Sequence, residues 1–354
     1  MILLAALLLG AADVAADSLE GLYASTALAA LVARASTDPA GLAKEFHEFG
    51  MRTSVLQDWG AGEGKAVQSL ASNSMPVVLA HGMGDSCFNA GFKSVTAHVA
   101  SKLSTYATCI PTGDNAIEDT INGFLMNMDK SVDEFAKRVK ADPKLASGFN
   151  AIGLSQGNTL IRGYIQKYND PPVHTFLSVC GTNGGVAAFP QCSPKTPIIG
   201  SVCEALTSVL GDLAYNKLVQ SILFQANYFR DPEKLGTAAY KQYSQLAQWN
   251  GEGTESNATA ARAHWSKTSK FVWVRGLKDT VVYPNIAEQW GALTADYPRN
   301  LTTMPMRSTP WYESDAFGLR TADLAGKHAF EEFDGEHIRF TMAELDGWLE
   351  KYFA

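Results

Sequence analysis

Nowhere does this 354-residue chain gather lysine and arginine into a run, and Asp and Glu outnumber Lys and Arg 36 to 29, for a formal net charge of −7. A nucleic-acid partner, which needs a basic stripe to meet phosphates, is thereby excluded. The acidic balance is compatible with an acidic compartment. Apolar runs are scarce too. One opens the chain, MILLAALLLGAADVAA at residues 1–16, and it falls short of the ~20 residues a bilayer-spanning helix needs. With the small residues Val14 and Ala16 ahead of Asp17 it reads as a secretory signal peptide, and no later stretch is apolar enough to be a transmembrane segment. Cysteine is sparse: Cys87, Cys109, Cys180, Cys192 and Cys203. No His/Cys/Asp cluster has ligand spacing, so neither a metal nor an organic cofactor is expected. In an oxidising compartment Cys192 and Cys203 make the best local pair, closing a short proline-containing loop, and the odd count leaves one thiol free or paired elsewhere. Asn257 in N-A-T and Asn300 in N-L-T are glycosylation acceptors that fit the secretory pathway.

The chain does hold FNAIGLSQGNTLIR at residues 149–162, an apolar strand running into G-L-S-Q-G and then an apolar helical face. A G-x-S-x-G pentapeptide can be a plain tight turn. Between a buried strand and a helix, however, it has the form of a nucleophile elbow, in which Ser155 takes a strained conformation and the flanking glycines remove colliding Cβ atoms. The helix N-terminus then offers free amides to charge developing beside Ser155. Upstream, the apolar strand PVVLA empties into HGMGDS at residues 81–86. Such a loop suits an oxyanion hole, with the amides of Met83 and Gln156 as donors; His81 is read as a structural residue of it.

Alternating strands and helices predict an α/β class with a mostly parallel sheet: strands near 75–80, 106–110, 174–180 and 270–275, and helices near 91–104 and 131–139. Residues 17–75 read as a helical extension, with helix-like stretches at 28–34 and 42–49. Residues 76–354 read as one catalytic domain. Within it, residues about 189–265 lose the strand rhythm and read as a helical insertion over the active edge, helical at 203–210, 215–224 and 240–249. A terminal helix is expected at 342–352.

Asp279 follows a late buried strand and His337 lies in a loop before the terminal helix, so Ser155, Asp279 and His337 stand in the Ser…Asp…His order of the α/β-hydrolase fold. His328 and His264 compete for the role of base. Asp315, Asp323 and Asp334 compete for that of acid.

The blocks PVVLAHGMGDSC, GFNAIGLSQGN, SVCGTNGGVAAFPQC, QANYFRDP, GLKDTVVYP and FGLRTADLAGKHAFEEFDGEH together resemble the palmitoyl-protein thioesterases, lysosomal enzymes that remove fatty acyl groups from S-acylated cysteines. The resemblance runs from about residue 76 to the C-terminus. It implies Ser155 as nucleophile, His337 as base, Asp279 as its orienting acid, oxyanion amides at Met83 and Gln156, and a loop disulfide at Cys192 and Cys203. It also implies substrates that are S-palmitoylated proteins or peptides, or acyl-CoA, and residence in the lysosome or secretion. The extension has no counterpart in the resemblance. A lipase or carboxylesterase on the same frame is the nearest alternative, and a non-catalytic acyl-binding protein a more distant one.

Overall fold

The computed structural model describes residues 19–53, 75–188, 210–211, 213–254, 258–294 and 302–353. The expectations placed on residues 1–16, on Cys192 and Cys203, and on Asn257 and Asn300 lie outside the described residues.

The strands are β1 (Val77–Ala80), β2 (Ala107–Cys109), β3 (Phe149–Leu154), β4 (Val173–Val179), β5 (Lys270–Gly276), β6 (Ala292–Leu293), β7 (Thr303–Met304) and β8 (His328–Phe333). Six of them form one sheet in the order β2-β1-β3-β4-β5-β8, every pair parallel. β6 and β7 make a small antiparallel ladder that the sequence did not announce. Successive side chains of a strand face opposite sides. Here Val78, Ala80, Phe149 and Ala151 enter the core on one face, while Val77, Leu79, Ile152 and Leu154 enter that on the other. Both faces are covered, and so the central strands read as unbroken apolar runs. After β1 the chain goes to one side to make β2 and returns to the other to make β3. The switch point between β1 and β3 therefore opens a crevice at the C-terminal ends of the strands. This is the α/β-hydrolase fold.

The helices Ala90–Leu103 and Met128–Ala141 lie where expected. A helix over Ala116–Leu125 was missed, although Asn115 caps it by accepting from the Glu118 amide at 3.0 Å. Among the described residues, the span between β4 and β5 carries helices and no strand of the sheet. Two of its expected helices are broken in two. The stretch at 215–224 becomes Lys217–Ile222 and Phe224–Asn227, and that at 240–249 becomes Ala238–Tyr243 and Gln245–Asn250. At the second break Ser244 leaves the first helix to cap the next, its hydroxyl accepting from the Ala247 amide at 3.2 Å. Of the stretch at 203–210 only residue 210 is described.

The N-terminal helices run longer than expected, Leu19–Thr37 and Pro39–Thr53, with the Asp38 carboxylate accepting from the Gly41 amide between them. They do not stand apart. Leu28, Leu31, Leu42, Phe46 and Phe49 share a third apolar cluster with Met83, Phe124 and, from the insertion, Val219, Leu223, Phe229 and Ala247. Phe46 stacks on Phe124 with ring centroids 3.9 Å apart. Among the described residues no helix is long and apolar enough to cross a membrane.

Candidate active site

β3 ends at Leu154, and Ser155 follows in the left-handed region at φ 53° before the helix Gly157–Lys167 begins. The glycines on either side are required by contact. A Cβ on Gly153 would lie 2.2 Å from Asn158 Oδ1, and one on Gly157 would lie 2.2 Å from the Ala80 carbonyl oxygen. Asn158 fixes the turn by donating from Nδ2 to the carbonyls of Ser155 and Val179, both at 2.9 Å.

Three loops at the same edge of the sheet bring the predicted residues together. His337, after β8, places Nε2 at 2.8 Å from Ser155 Oγ and Nδ1 at 2.5 Å from Asp279 Oδ2, which follows β5. A carboxylate only accepts, so Nδ1 carries the hydrogen and Nε2 is left to accept from the serine hydroxyl. The other Asp279 oxygen accepts from the amides of Val281 at 2.7 Å and Val282 at 3.0 Å. Burial opposes the charged form of Asp279. The charge and hydrogen bond of His337, with bonds from the Glu288 side chain and the Val282 amide, outweigh it and hold the carboxyl below its usual range. Ser155, His337 and Asp279 are 7%, 2% and 5% exposed, so the group works largely out of water.

The competing residues are occupied elsewhere. His328 lies on β8 against the rings of Phe271 and Trp273. His264 bonds the Gln166 carbonyl, and Asp323 pairs with Arg307. Asp315 accepts from Thr321, and Asp334 pairs with Lys278.

The loop after β1 is held by a buried ion pair. His81 Nε2 lies 3.2 Å from Asp119 Oδ2. Burial disfavours the imidazolium, but Asp119, with help from Asp85 and the Gly82 carbonyl, reverses the balance and raises the His81 pKa to about 9. Asp119 is pushed down in turn, burial being outweighed by His81 and by backbone amides. It also accepts from Ser86 Oγ (2.9 Å), the Cys87 amide (3.0 Å), the Thr112 amide (2.7 Å) and hydroxyl (3.0 Å), and the Gly113 amide (3.3 Å). Cys87 and Cys109 form a disulfide that ties this loop to β2, while Cys180 is free and buried. Gln156 follows the serine in sequence, and Met83 follows Gly82, on which a Cβ would lie 3.1 Å from Ser155 Cβ; Met83 and Gln156 are both buried.

From the far side the extension grips the same loop through its backbone. His47 Nδ1 is 3.0 Å from the Gly84 carbonyl oxygen, and a Cβ on Gly50 would lie 2.4 Å from the Met83 carbonyl oxygen and 2.7 Å from Gly84 Cα.

Sequence reading missed Asp119, Glu288 and the reach of Gln156. The Gln156 side chain donates to the Gly123 carbonyl (2.8 Å) and accepts from Gln225 (2.9 Å) and the Tyr228 hydroxyl (3.0 Å), locking the elbow to the insertion. The Asn115-to-Glu118 spacing was the available signal for the helix that bears Asp119. Among the described residues two groups bring three potential ligand atoms within 4.8 Å: His81, Cys87 and Asp119, and Cys180, Asp279 and His337. In the first the cysteine sulfur is bonded to Cys109, and in the second burial and the nearby Glu288 and Asp279 carboxyls push the thiol pKa well up.

Residues 76–337 match the family described as palmitoyl protein thioesterase. Palmitoyl-protein thioesterase 1 of Caenorhabditis elegans is 30% identical over 289 residues, which span 80% of this chain and 93% of that one. Palmitoyl-protein thioesterase 3 of Dictyostelium discoideum is 29% identical over 263 residues, 74% of this chain and 84% of that one. The "Lysosomal thioesterase PPT2 homolog" of Drosophila melanogaster is 27% identical over 220 residues, 59% of this chain and 69% of that one. The chain belongs to the palmitoyl protein thioesterase family.

Proposed function

We propose that the protein is a serine thioesterase that hydrolyses palmitoyl and similar long-chain thioesters of S-acylated cysteines in proteins or peptides, and of acyl-CoA. The observation that carries this reading is the buried relay from Ser155 through His337 to Asp279 in a chain of this family. Ser155 Oγ attacks the thioester carbonyl carbon while His337 Nε2 takes its proton, and Asp279 stabilises the imidazolium. The amides of Met83 and Gln156 receive the oxyanion. Collapse expels the thiolate, which takes the proton from His337 and leaves as the free cysteine thiol. A water then gives its proton to His337 and attacks the acyl-serine, releasing the fatty acid and restoring Ser155.

The apolar surroundings of Met83 are compatible with a long-chain preference, each methylene buried in an apolar acyl site contributing about 0.8 kcal/mol. The apolar run at residues 1–16, the N-x-T triplets at Asn257 and Asn300, the Cys87–Cys109 disulfide and the relatives named as lysosomal support delivery through the secretory pathway to the lysosome.

Hydrolysis of a palmitoyl thioester by purified protein, set beside Ser155→Ala, a short-chain thioester and a matched palmitoyl oxygen ester, tests the reading. We expect Ser155→Ala to lose activity by roughly 10⁶-fold in kcat, as in other triads. Full activity in that variant would overturn the proposal. A preference for the short chain or the oxygen ester would turn it into a general esterase or a lipase.

A further inference from the structure

Beside Asp279 sits a second buried carboxyl that the mechanism above does not use. Glu288 lies in the short turn Asn285–Gln289 and is 0% exposed. One of its oxygens accepts from the Gly276 amide at 2.9 Å. The other is buried, and among the described residues no ordinary donor reaches it. Gly276 brings this carboxyl to Asp279: its carbonyl accepts from the Asp279 amide at 3.1 Å, and a Cβ on it would lie 3.3 Å from Asp279 Cβ, so that the Asp279 side chain and the Cys180 thiol are the polar groups the Glu288 carboxyl meets. Two ionised carboxylates both accept only, so their contact requires a proton between them. Asp279 is already committed to its charged form by His337 and two backbone amides. The proton therefore belongs to Glu288.

We propose that Glu288 is a positioning residue of the triad: as a neutral carboxylic acid it donates a hydrogen bond to Asp279 and holds that carboxylate facing His337. The inference rests on the reading of Ser155, His337 and Asp279 as the catalytic triad. The turn that carries Glu288 is fixed in place, since Asn183 donates to the Glu288 carbonyl at 2.9 Å and the Gly184 amide to that of Ala287 at 2.9 Å. The titratable groups around it agree. Burial first, then the Asp279 charge, drive Glu288 well above the usual carboxyl range, and burial raises the Cys180 thiol likewise. His337 meets the pair through Asp279 and lies near Cys180 as well.

The test compares Glu288→Gln with Glu288→Met. Glutamine can still donate to Asp279 through its amide and accept from Gly276 through its oxygen, whereas methionine keeps the approximate size and loses the donor. We expect Glu288→Gln to retain kcat within about threefold, and Glu288→Met to lose about tenfold to a hundredfold in kcat with KM within about twofold, the scale of one hydrogen bond to a charged group. Equal kcat in the two variants would overturn the proposal and leave Glu288 a core filler. Infrared difference spectra of wild type against Glu288→Gln at neutral pH supply a readout independent of turnover. A carboxylic acid carbonyl band present only in the wild type is expected, and its absence would overturn the proposal. Ser155→Ala run alongside separates the two readings. If it stays active the triad falls and Glu288's role with it; if it is inactive while the Gln and Met variants match, only the Glu288 proposal falls.

Discussion

A single side chain is readable from sequence when its neighbours in sequence are also its neighbours in space. Ser155 meets that condition, because Gly153, Gly157 and Asn158 shape its turn. Asp279 and His337 were legible through their order and their places after strands. Asp119 and Glu288 were not, because a buried carboxylate and a solvated one look alike in sequence and their partners lie elsewhere: His81 for one, Gly276 and Asp279 for the other. Asp119 carries the sharper consequence at this scale. Asp119→Asn leaves His81 facing a neutral side chain and gives up the charge that five neighbouring donors share, and breaking a buried pair of this kind costs about 3–5 kcal/mol. The expected outcome is an unfolding free energy lowered by that amount, read as a lower denaturant midpoint at unchanged m, with kcat lowered as the loop loosens. An unchanged midpoint would show that the pair adds nothing net.

Elements became legible when their ends were marked. The terminal helix Met342–Tyr352 carries a capping box of Thr341 and Glu344 and runs where it was expected. The insertion's helices were placed but drawn too long, because the breaks at Leu223 and Ser244 depend on tertiary packing and a local cap rather than on periodicity. The extension was recognisable as helical, yet nothing in its composition says what it touches. Its second helix lies against the loop after β1 that carries Met83, the residue proposed as an oxyanion donor. Gly50→Ala places a Cβ against the Met83 carbonyl and must shift either the helix or the loop. We expect kcat to fall by about tenfold, less than the roughly 10²–10³ that removing an oxyanion donor outright costs, because the amide is shifted rather than lost, with far-ultraviolet circular dichroism unchanged. Wild-type kcat in this variant would show that the loop keeps its place without the helix.

At the scale of the molecule, the parallel sheet was the most legible feature, because strands buried on both faces write long apolar runs. The contacts that close the crevice join distant parts of the chain and left no such record. The buried titrating groups also set how the whole fold answers to pH. His81, raised from 6.5 to about 9, binds its proton better when folded, so its contribution is complete below 6.5 and lost as pH rises through 9. Glu288, raised well above 4.5, loses its contribution as pH climbs from 4.5. His328 runs the other way. Burial lowers it to about 4, so its contribution is complete above 6.5 and lost as pH falls toward 4. Between 4.5 and 6.5 Glu288 and His328 oppose each other, and above 6.5 His81 and Glu288 decline together. Melting temperatures measured across this range should be highest between about pH 4.5 and 6.5 and fall toward pH 9, with Asp119→Asn flattening the alkaline fall. A maximum at pH 8 or above would contradict this account.

The grip of Pro39–Thr53 on the loop after β1 is made with main-chain atoms at one end and a glycine at each closest approach. Compensating substitution cannot arise at such a joint: no side chain at position 84 can answer a change at position 50, because neither position tolerates one. Across relatives that share the helix, positions 50 and 84 should therefore show no co-variation at all. Methods that infer proximity from correlated changes will be blind to this contact, and the helix should be inherited or lost as a unit rather than remodelled residue by residue.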